Sequence, residues 1–575
     1  MIVPPFGNGP LRQAATAPRL VIMRPHHPRP RRGPTALLAT LALVLVPGLA
    51  ACTSFSETVT DEPAAATASS APAEPEVTPI EWTDCNEPIQ QLIAAQPGSD
   101  RNLTFSCGRT EVPISYDEPG GDKLPLFLIR AVMAGQTDRI GSLMVNPGGP
   151  GVSGADAALS LALRLPVEVL QRFDLVGFDP RGVGLSTPVE CIPDELKEDI
   201  VAAEPRPTSD EQLDEAIALA QDVADACSEE YDAAPLGTFN TVDTARDMDQ
   251  LRQAVGDEQL NYLGYSYGTT LGSTYAELYP DKVRAMVLDA AVDPDTDDLT
   301  SAEESAAAFE AGFDAFAANC IGLIAGCPLG AEPRQFVEAL LGQAAQTPIP
   351  SSEPTGTPSP PAAATPSEEA TPSEEPAAPA EPRQATPGVV MTAIKAGLYD
   401  TRSWPQLAQS LAAAQRGDSA GLFSLADTFS GRLEDGTYSN LLDANIAVSC
   451  ADGEETFQES EIRELAGEWS AKYPLFGAGS AVSLYTCSVW EAERTPVPER
   501  DAEGSAPILV VGNSGDPVTP LPGAVDLAEK LEAGVLLTWQ GQGHTAYPKT
   551  DCVTAAVNAY LIDLTAPLDG LTCPA

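Results

Sequence analysis

Residues Leu260–Tyr279 read LNYLGYSYGTTLGSTYAELY. A short apolar run, "LNYL", is followed by G-x-S-x-G and then by a stretch with helical spacing. A strand, a sharp turn and a helix are what a nucleophile elbow requires, with small residues flanking a strained serine so that the turn can close. Ser266 is therefore the candidate nucleophile. The motif alone decides little, because "GDSAG" at 417–421 matches it too. Ser419 follows the helical "LAQSLAAAQR" with no strand before it, and reads as a polar connection between helices.

Working outward, apolar runs recur at 126–134, 142–146, 173–179, 283–289, 506–512 and 534–539. Several are continuous rather than alternating, as expected of parallel strands covered on both faces. Helical patterns separate many of them; Val242, Ala245, Met248, Leu251 and Val255 form one apolar stripe. The pattern predicts a mostly parallel, doubly wound α/β sheet. Core segments are expected over 80–296 and 466–575, with an inserted helical lid over 297–465. A Pro-, Ala- and Glu-rich tract over 347–387, with the echo "TPSEEATPSEE", lacks the apolar residues to build a core and is expected to be a disordered insert in that lid.

A serine hydroxyl is a poor nucleophile until a base takes its proton. The chain has three histidines, and His26 and His27 lie in a segment with the marks of an export signal. His544, in "GQGH" after the last predicted strand, is then the one available base. The acid that orients it is expected at the end of the preceding strand, where "GNSGDPVTP" offers Asp516; Asp526, in the next helical stretch, is the rival. The developing oxyanion needs backbone donors. Tyr267 N–H follows the nucleophile, and the glycine-dense "NPGGPGVSG" at 146–154 supplies Gly149. "DPRGVGLS" at 179–186 is expected to be a turn that shapes the site without chemistry of its own.

The N-terminus carries Arg31–Arg32, an apolar run over 36–46, and "LAAC" ending at Cys52. That run is short for a mature membrane span and fits a signal peptide over 1–51, with Met23 a plausible start. "LAAC" resembles a lipobox, so Cys52 is expected to carry a lipid, with a flexible tether over 52–79. Arg31–Arg32 leaves Sec and twin-arginine export both open. Ten cysteines remain after Cys52, an even number that suits disulfides in an exported protein. Pairing neighbours in sequence gives Cys85–Cys107, Cys191–Cys227, Cys320–Cys327, Cys450–Cys487 and Cys552–Cys573. The chain of 575 residues has 82 acidic and 32 basic residues, a net charge of −50. That balance argues against nucleic acid as a partner, since phosphate binding needs concentrated Lys and Arg. No metal or cofactor is expected: H-E-x-x-H is absent and His544 has no second histidine to share a metal with.

Together, "NPGGPGVSG", "FDPRGVGLS", "YLGYSYGTTLGSTYAELYPDKVRAMVLDAAVDP" and "GDPVTP…GQGH" resemble the secreted bacterial tripeptidyl aminopeptidases. These are serine peptidases of the α/β-hydrolase fold related to proline iminopeptidases. The resemblance runs from about Trp82 to Cys573. It implies a triad of Ser266, Asp516 and His544, an oxyanion glycine at Gly149, and release of short peptides from free N-termini. Proline iminopeptidases have His before "GGPG" where this chain has Pro147, a change that leaves the backbone donor in place. Binding a free amine calls for a carboxylate in the lid; Asp452, Glu303 and Glu304 are the candidates. An esterase or lipase on the same scaffold, or a non-catalytic binding lipoprotein, are the alternatives. The protein is expected to be a monomer on the outer face of the cell membrane, or released to the wall or medium.

Overall fold

The computed structural model describes residues 75–293, 295–352, 382–499 and 501–575. The expected signal peptide, Cys52, His26, His27, most of the tether and the centre of the Pro-rich tract lie outside the described residues.

The described strands of the main sheet are β1 (Glu81–Asp84), β2 (Leu103–Pro113), β3 (Lys123–Met133), β4 (Gly141–Asn146), β5 (Phe173–Phe178), β6 (Leu260–Tyr265) and β7 (Val283–Asp289). A two-strand ribbon, β8 (Ile349–Pro350) with β9 (Gln384–Ala385), stands apart. β10 (Ile508–Gly515), β11 (Gly534–Gln542) and β12 (Leu571–Cys573) complete the sheet, in the order β1-β2-β3-β5-β4-β6-β7-β10-β11-β12. From β5 to β12 neighbours are parallel; β1, β2 and β3 form an antiparallel edge.

Every residue of β4, β5 and β6 is buried, because helices cover both faces. Side-chain alternation divides them between two cores. Leu143, Val145, Leu175, Leu263, Val287 and Leu509 point to one face. Met144, Val176, Tyr262, Met286, Leu288 and Val510 point to the other, against the stripe of Ala245, Met248 and Leu251. That stripe lies on the helix Thr241–Ala254, whose start is capped by the Asn240 side chain accepting from Asp243 N–H at 2.8 Å.

The lid differs from expectation in two ways. Its helices run from Asp298 through Ser488, past the expected boundary at 465, before β10 begins at Ile508. It also draws on a first insertion after β5. The helix Asp210–Glu230 packs on Gly477–Ser488, and Asp194–Ala202 packs on Pro387–Leu398. Asp443, fully buried in the lid helix Leu441–Asp452, fastens the two insertions. Its carboxylate accepts Cys191 N–H at 2.9 Å and Ile192 N–H at 2.8 Å, and pairs with Lys197 at 2.7 Å. The cap thus has its own core, in which Phe313, Phe316, Leu340, Ile394, Leu407 and Leu422 meet Val201 of the first insertion.

The Pro-rich tract is shorter than 347–387. β8 pairs with β9, and Pro387 opens a helix, so the two ends of the tract are structured. The five disulfides join the neighbouring cysteines named above. Cys450–Cys487 staples two cap helices, and Cys552–Cys573 ties the last helix to β12.

Candidate active site

Ser266 stands between β6 and the helix Tyr267–Leu278 with φ 56° and ψ −127°, a conformation that non-glycine residues adopt only under constraint. The elbow closes because its flanks lack side chains. A Cβ on Gly264 would lie 2.3 Å from the Gly268 carbonyl oxygen. The helix that starts at Tyr267 turns its free N–H groups toward the reacting centre.

The loop after β4 lies directly on this turn. Gly148, at φ 93°, would carry a Cβ 2.5 Å from the Tyr265 carbonyl oxygen and 3.0 Å from Tyr267 N. Only glycine permits that approach. It brings the loop that carries Gly149 against the Tyr267 backbone, as the oxyanion expectation requires. Asp179 of the "DPRG" turn braces the far end of the same loop. Its carboxylate accepts from Ser153 Oγ at 2.6 Å and Ala155 N–H at 3.1 Å. That turn therefore shapes the site, as its position suggested.

Asp516 follows β10 and His544 follows β11, and adjacent parallel strands bring their ends together. His544 Nδ1 is 2.9 and 3.0 Å from the two carboxylate oxygens of Asp516. Both side chains are buried, at 2 % exposure for His544 and 0 % for Asp516. Asp526, the rival acid, is exposed in the helix Leu521–Lys530. Burial opposes the Asp516 charge, but the His544 ring and N–H groups of Val518 and Thr519 outweigh it and hold the carboxyl below its usual range. For His544 burial is the largest influence; it outweighs Asp516 and lowers the imidazole below its usual value. The ring is then neutral at neutral pH, ready to accept a proton. The acid limb of kcat/KM is accordingly expected to titrate below the ordinary histidine pKa of about 6.5. Activity falls as His544 gains its proton; a limb centred above 7 in a pH–rate profile refutes this.

Four contributors were missed in the sequence. Thr519 Oγ1 and Asn513 Nδ2 donate to Asp516 at 3.1 and 3.2 Å. Tyr399 of the cap sets its ring edge-on to His544 at 5.2 Å, and its carbonyl accepts the His544 N–H at 2.8 Å. Asp289, at the end of β7, joins nucleophile to base. Its carbonyl accepts the Ser266 N–H at 3.0 Å. Its carboxylate accepts Ala546 N–H at 2.9 Å and Tyr547 N–H at 2.7 Å. An acid at the carboxyl end of a parallel strand was the available signal for Asp289; the cap contact had none.

The three candidate amine binders separate. Glu303 is held at the cap surface by Lys472 and by Tyr473 Oη at 3.1 Å. Glu304 is exposed on the same helix, where partial burial and the charges of Asp526, Asp293 and Asp297 raise its pKa. Asp452 connects to the nucleophile's neighbour through Thr241. It accepts from Thr241 N–H at 2.8 Å and Thr241 Oγ1 at 2.6 Å, and that hydroxyl lies 2.5 Å from Tyr267 Oη. The same helix, Leu441–Asp452, sits on the oxyanion loop, with Asn445 Nδ2 donating to the Pro150 carbonyl at 3.1 Å. Ser419 lies elsewhere, buried within the cap, with its Oγ on the Ile349 carbonyl at 2.8 Å.

Comparison with known proteins agrees with this geometry. Residues 141–378 match the model of the alpha/beta hydrolase fold, and residues 473–573 match that of the TAP-like proteins. Serine protease Hip1 of Mycobacterium tuberculosis is 36% identical over 87% of this chain and 92% of its own. Carboxylesterase B of the same species is 34% identical, over 89% and 93%. Tripeptidyl aminopeptidase of Streptomyces lividans is 27% identical, over 86% of each. The chain belongs to the α/β-hydrolase family that contains these serine hydrolases and peptidases.

Proposed function

We propose that the protein is an exported, lipid-anchored serine peptidase that releases short peptides from free N-termini. The observation that carries the substrate class is Asp452, a cap carboxylate linked through Thr241 to the residue beside the nucleophile. His544 Nε2 takes the Ser266 Oγ proton as Oγ attacks the scissile carbonyl carbon. The oxyanion rests on the N–H groups of Gly149 and Tyr267, and Asp516 steadies the imidazolium. His544 then gives its proton to the departing nitrogen, the C–N bond breaks, and an ester to Ser266 remains. Water, deprotonated by His544, attacks that ester and frees the peptide and the Ser266 hydroxyl. Asp452 receives the substrate ammonium at the distance of the peptide removed. The five disulfides and "LAAC" support export and acylation at Cys52.

The test compares free and N-acetylated tripeptide amides with a short-chain ester. Free amides are expected to be cleaved and acetylated ones not. Asp452→Asn is expected to raise KM for the free amide about 10- to 100-fold, the worth of a charge-assisted bond. Equal cleavage of acetylated amides sinks the aminopeptidase reading. Ester hydrolysis without amide cleavage favours an esterase, an outcome that the carboxylesterase B relative keeps in view.

A further inference from the structure

Between the oxyanion loop and the histidine loop lies a partly open cavity, whose empty space of about 410 Å³ includes the solvent at its mouth. Pro147 lines it on one side, Thr545, Tyr547 and Pro548 on the other, and Tyr265 and Arg164 between them. Pro147 immediately precedes Gly148, and Thr545 immediately follows His544. The cavity is therefore walled by the chain neighbours of the oxyanion loop, of Ser266 and of the general base.

Its lining is mostly apolar with one charged member, Arg164. Arg164 donates to Ser160 of its own helical turn, through Nε to the carbonyl at 3.1 Å and through Nη2 to Oγ at 2.6 Å. None of the ion pairs among the described residues involves it. Lys549 donates to the His544 carbonyl at 2.6 Å, and the Arg402 charge is felt at both Arg164 and Lys549. Of the acids nearby, Asp400 is paired with Arg402 at 2.6 Å, while Asp289 holds the Ala546 and Tyr547 N–H groups and Asp516 holds His544.

We propose that this cavity is a leaving-group subsite that selects an acidic side chain on the residue just after the scissile bond. The assignment rests on the peptidase reading. His544 must reach the departing nitrogen to protonate it, so the departing segment leaves along the histidine loop, whose Thr545, Tyr547 and Pro548 form the cavity wall. The apolar walls take the methylene stem of the side chain, and Arg164 meets its carboxylate with the N–H groups that Ser160 does not use.

The experiment uses free-amine peptides that are identical except for Glu, Gln or Lys after the scissile bond. Wild type is expected to show kcat/KM about 10-fold higher for Glu than for Gln, with Lys lowest, as one charge-assisted contact implies. Arg164→Gln is expected to bring the Glu/Gln ratio near one, and Arg164→Glu to invert the order in favour of Lys. Titration of Ser266 with a phosphonate reports that each variant is folded. Arg463→Gln, at a partly buried cap arginine paired with Asp214 and Glu459, is expected to keep the wild-type ratio. Equal cleavage of all three peptides overturns the subsite and leaves the peptidase reading standing. A Glu advantage that survives Arg164→Gln also overturns it, as does one that appears only with Glu before the bond. Failure to cleave any free-amine peptide, with a short ester still hydrolysed, overturns the peptidase reading and this subsite with it.

Discussion

His544→Ala is expected to lower kcat by on the order of a million-fold, with the chain still folded. No other side chain can take over. The other two histidines, His26 and His27, belong to the segment read as an export signal. The ring is buried, fixed through Nδ1 by Asp516, and hydrogen-bonded at its backbone to Tyr399 of the cap. The residue acts as a unit with Ser266, so the double variant Ser266→Ala, His544→Ala is expected to be no slower than either single variant. Steady-state rates on one amide substrate decide both points. Losses that multiply in the double variant would place the two side chains in separate steps. The solitary imidazole also offers a clean proton resonance in a chain lacking the signal segment, so its titration can be compared directly with the acid limb of the rate profile.

Asp289→Ala is expected to cost about 2–6 kcal/mol of stability, because it strands the buried N–H groups of Ala546 and Tyr547 at roughly 1–3 kcal/mol each. The histidine loop depends on those bonds, so kcat should fall as well. Asp289 also carries a pH signature. Burial pushes its carboxyl up to about 6, against the bonds from Tyr547 and Ala546 that favour its charge. An unfolded aspartate titrates near 3.9, so between about pH 4 and 6 the folded chain holds the extra proton. Stability from this group is therefore full at low pH and declines as pH rises to about 6, by about 3 kcal/mol in all. Thermal unfolding of wild type and Asp289→Asn across that window measures the difference. A gap between them that does not change with pH removes the assignment.

The parallel half of the sheet was legible because burial on both faces makes strands read as unbroken apolar runs; 283–289 matches β7 residue for residue. β2 escaped notice for the opposite reason. "LTFSCGRTEVP" alternates, with Leu103, Phe105 and Cys107 inward and Thr104 and Glu111 exposed, which is the mark of an antiparallel edge. The triad was legible since its members occupy strand ends in a fixed order. The cap was only half legible. Its helices were visible, but that Asp443 would bind the first insertion to the second depends on contacts 251 and 252 residues apart. No local pattern encodes such a contact. Asp289 carried only the coarse signal of an acid at a strand end, which "VLDAAVDP" shares with many strands, and its role exists only once the histidine loop folds back on it.

The helix Leu441–Asp452 touches Pro150 at one end and Thr241, hence Tyr267, at the other. The position of the cap and the position of the oxyanion donors are therefore linked through these bonds. Affinity that the cap gains for distant parts of a substrate is converted into alignment at the scissile carbonyl. A shortened substrate is then expected to lose turnover as well as affinity, because it forgoes cap contacts that act on the donors through these bonds.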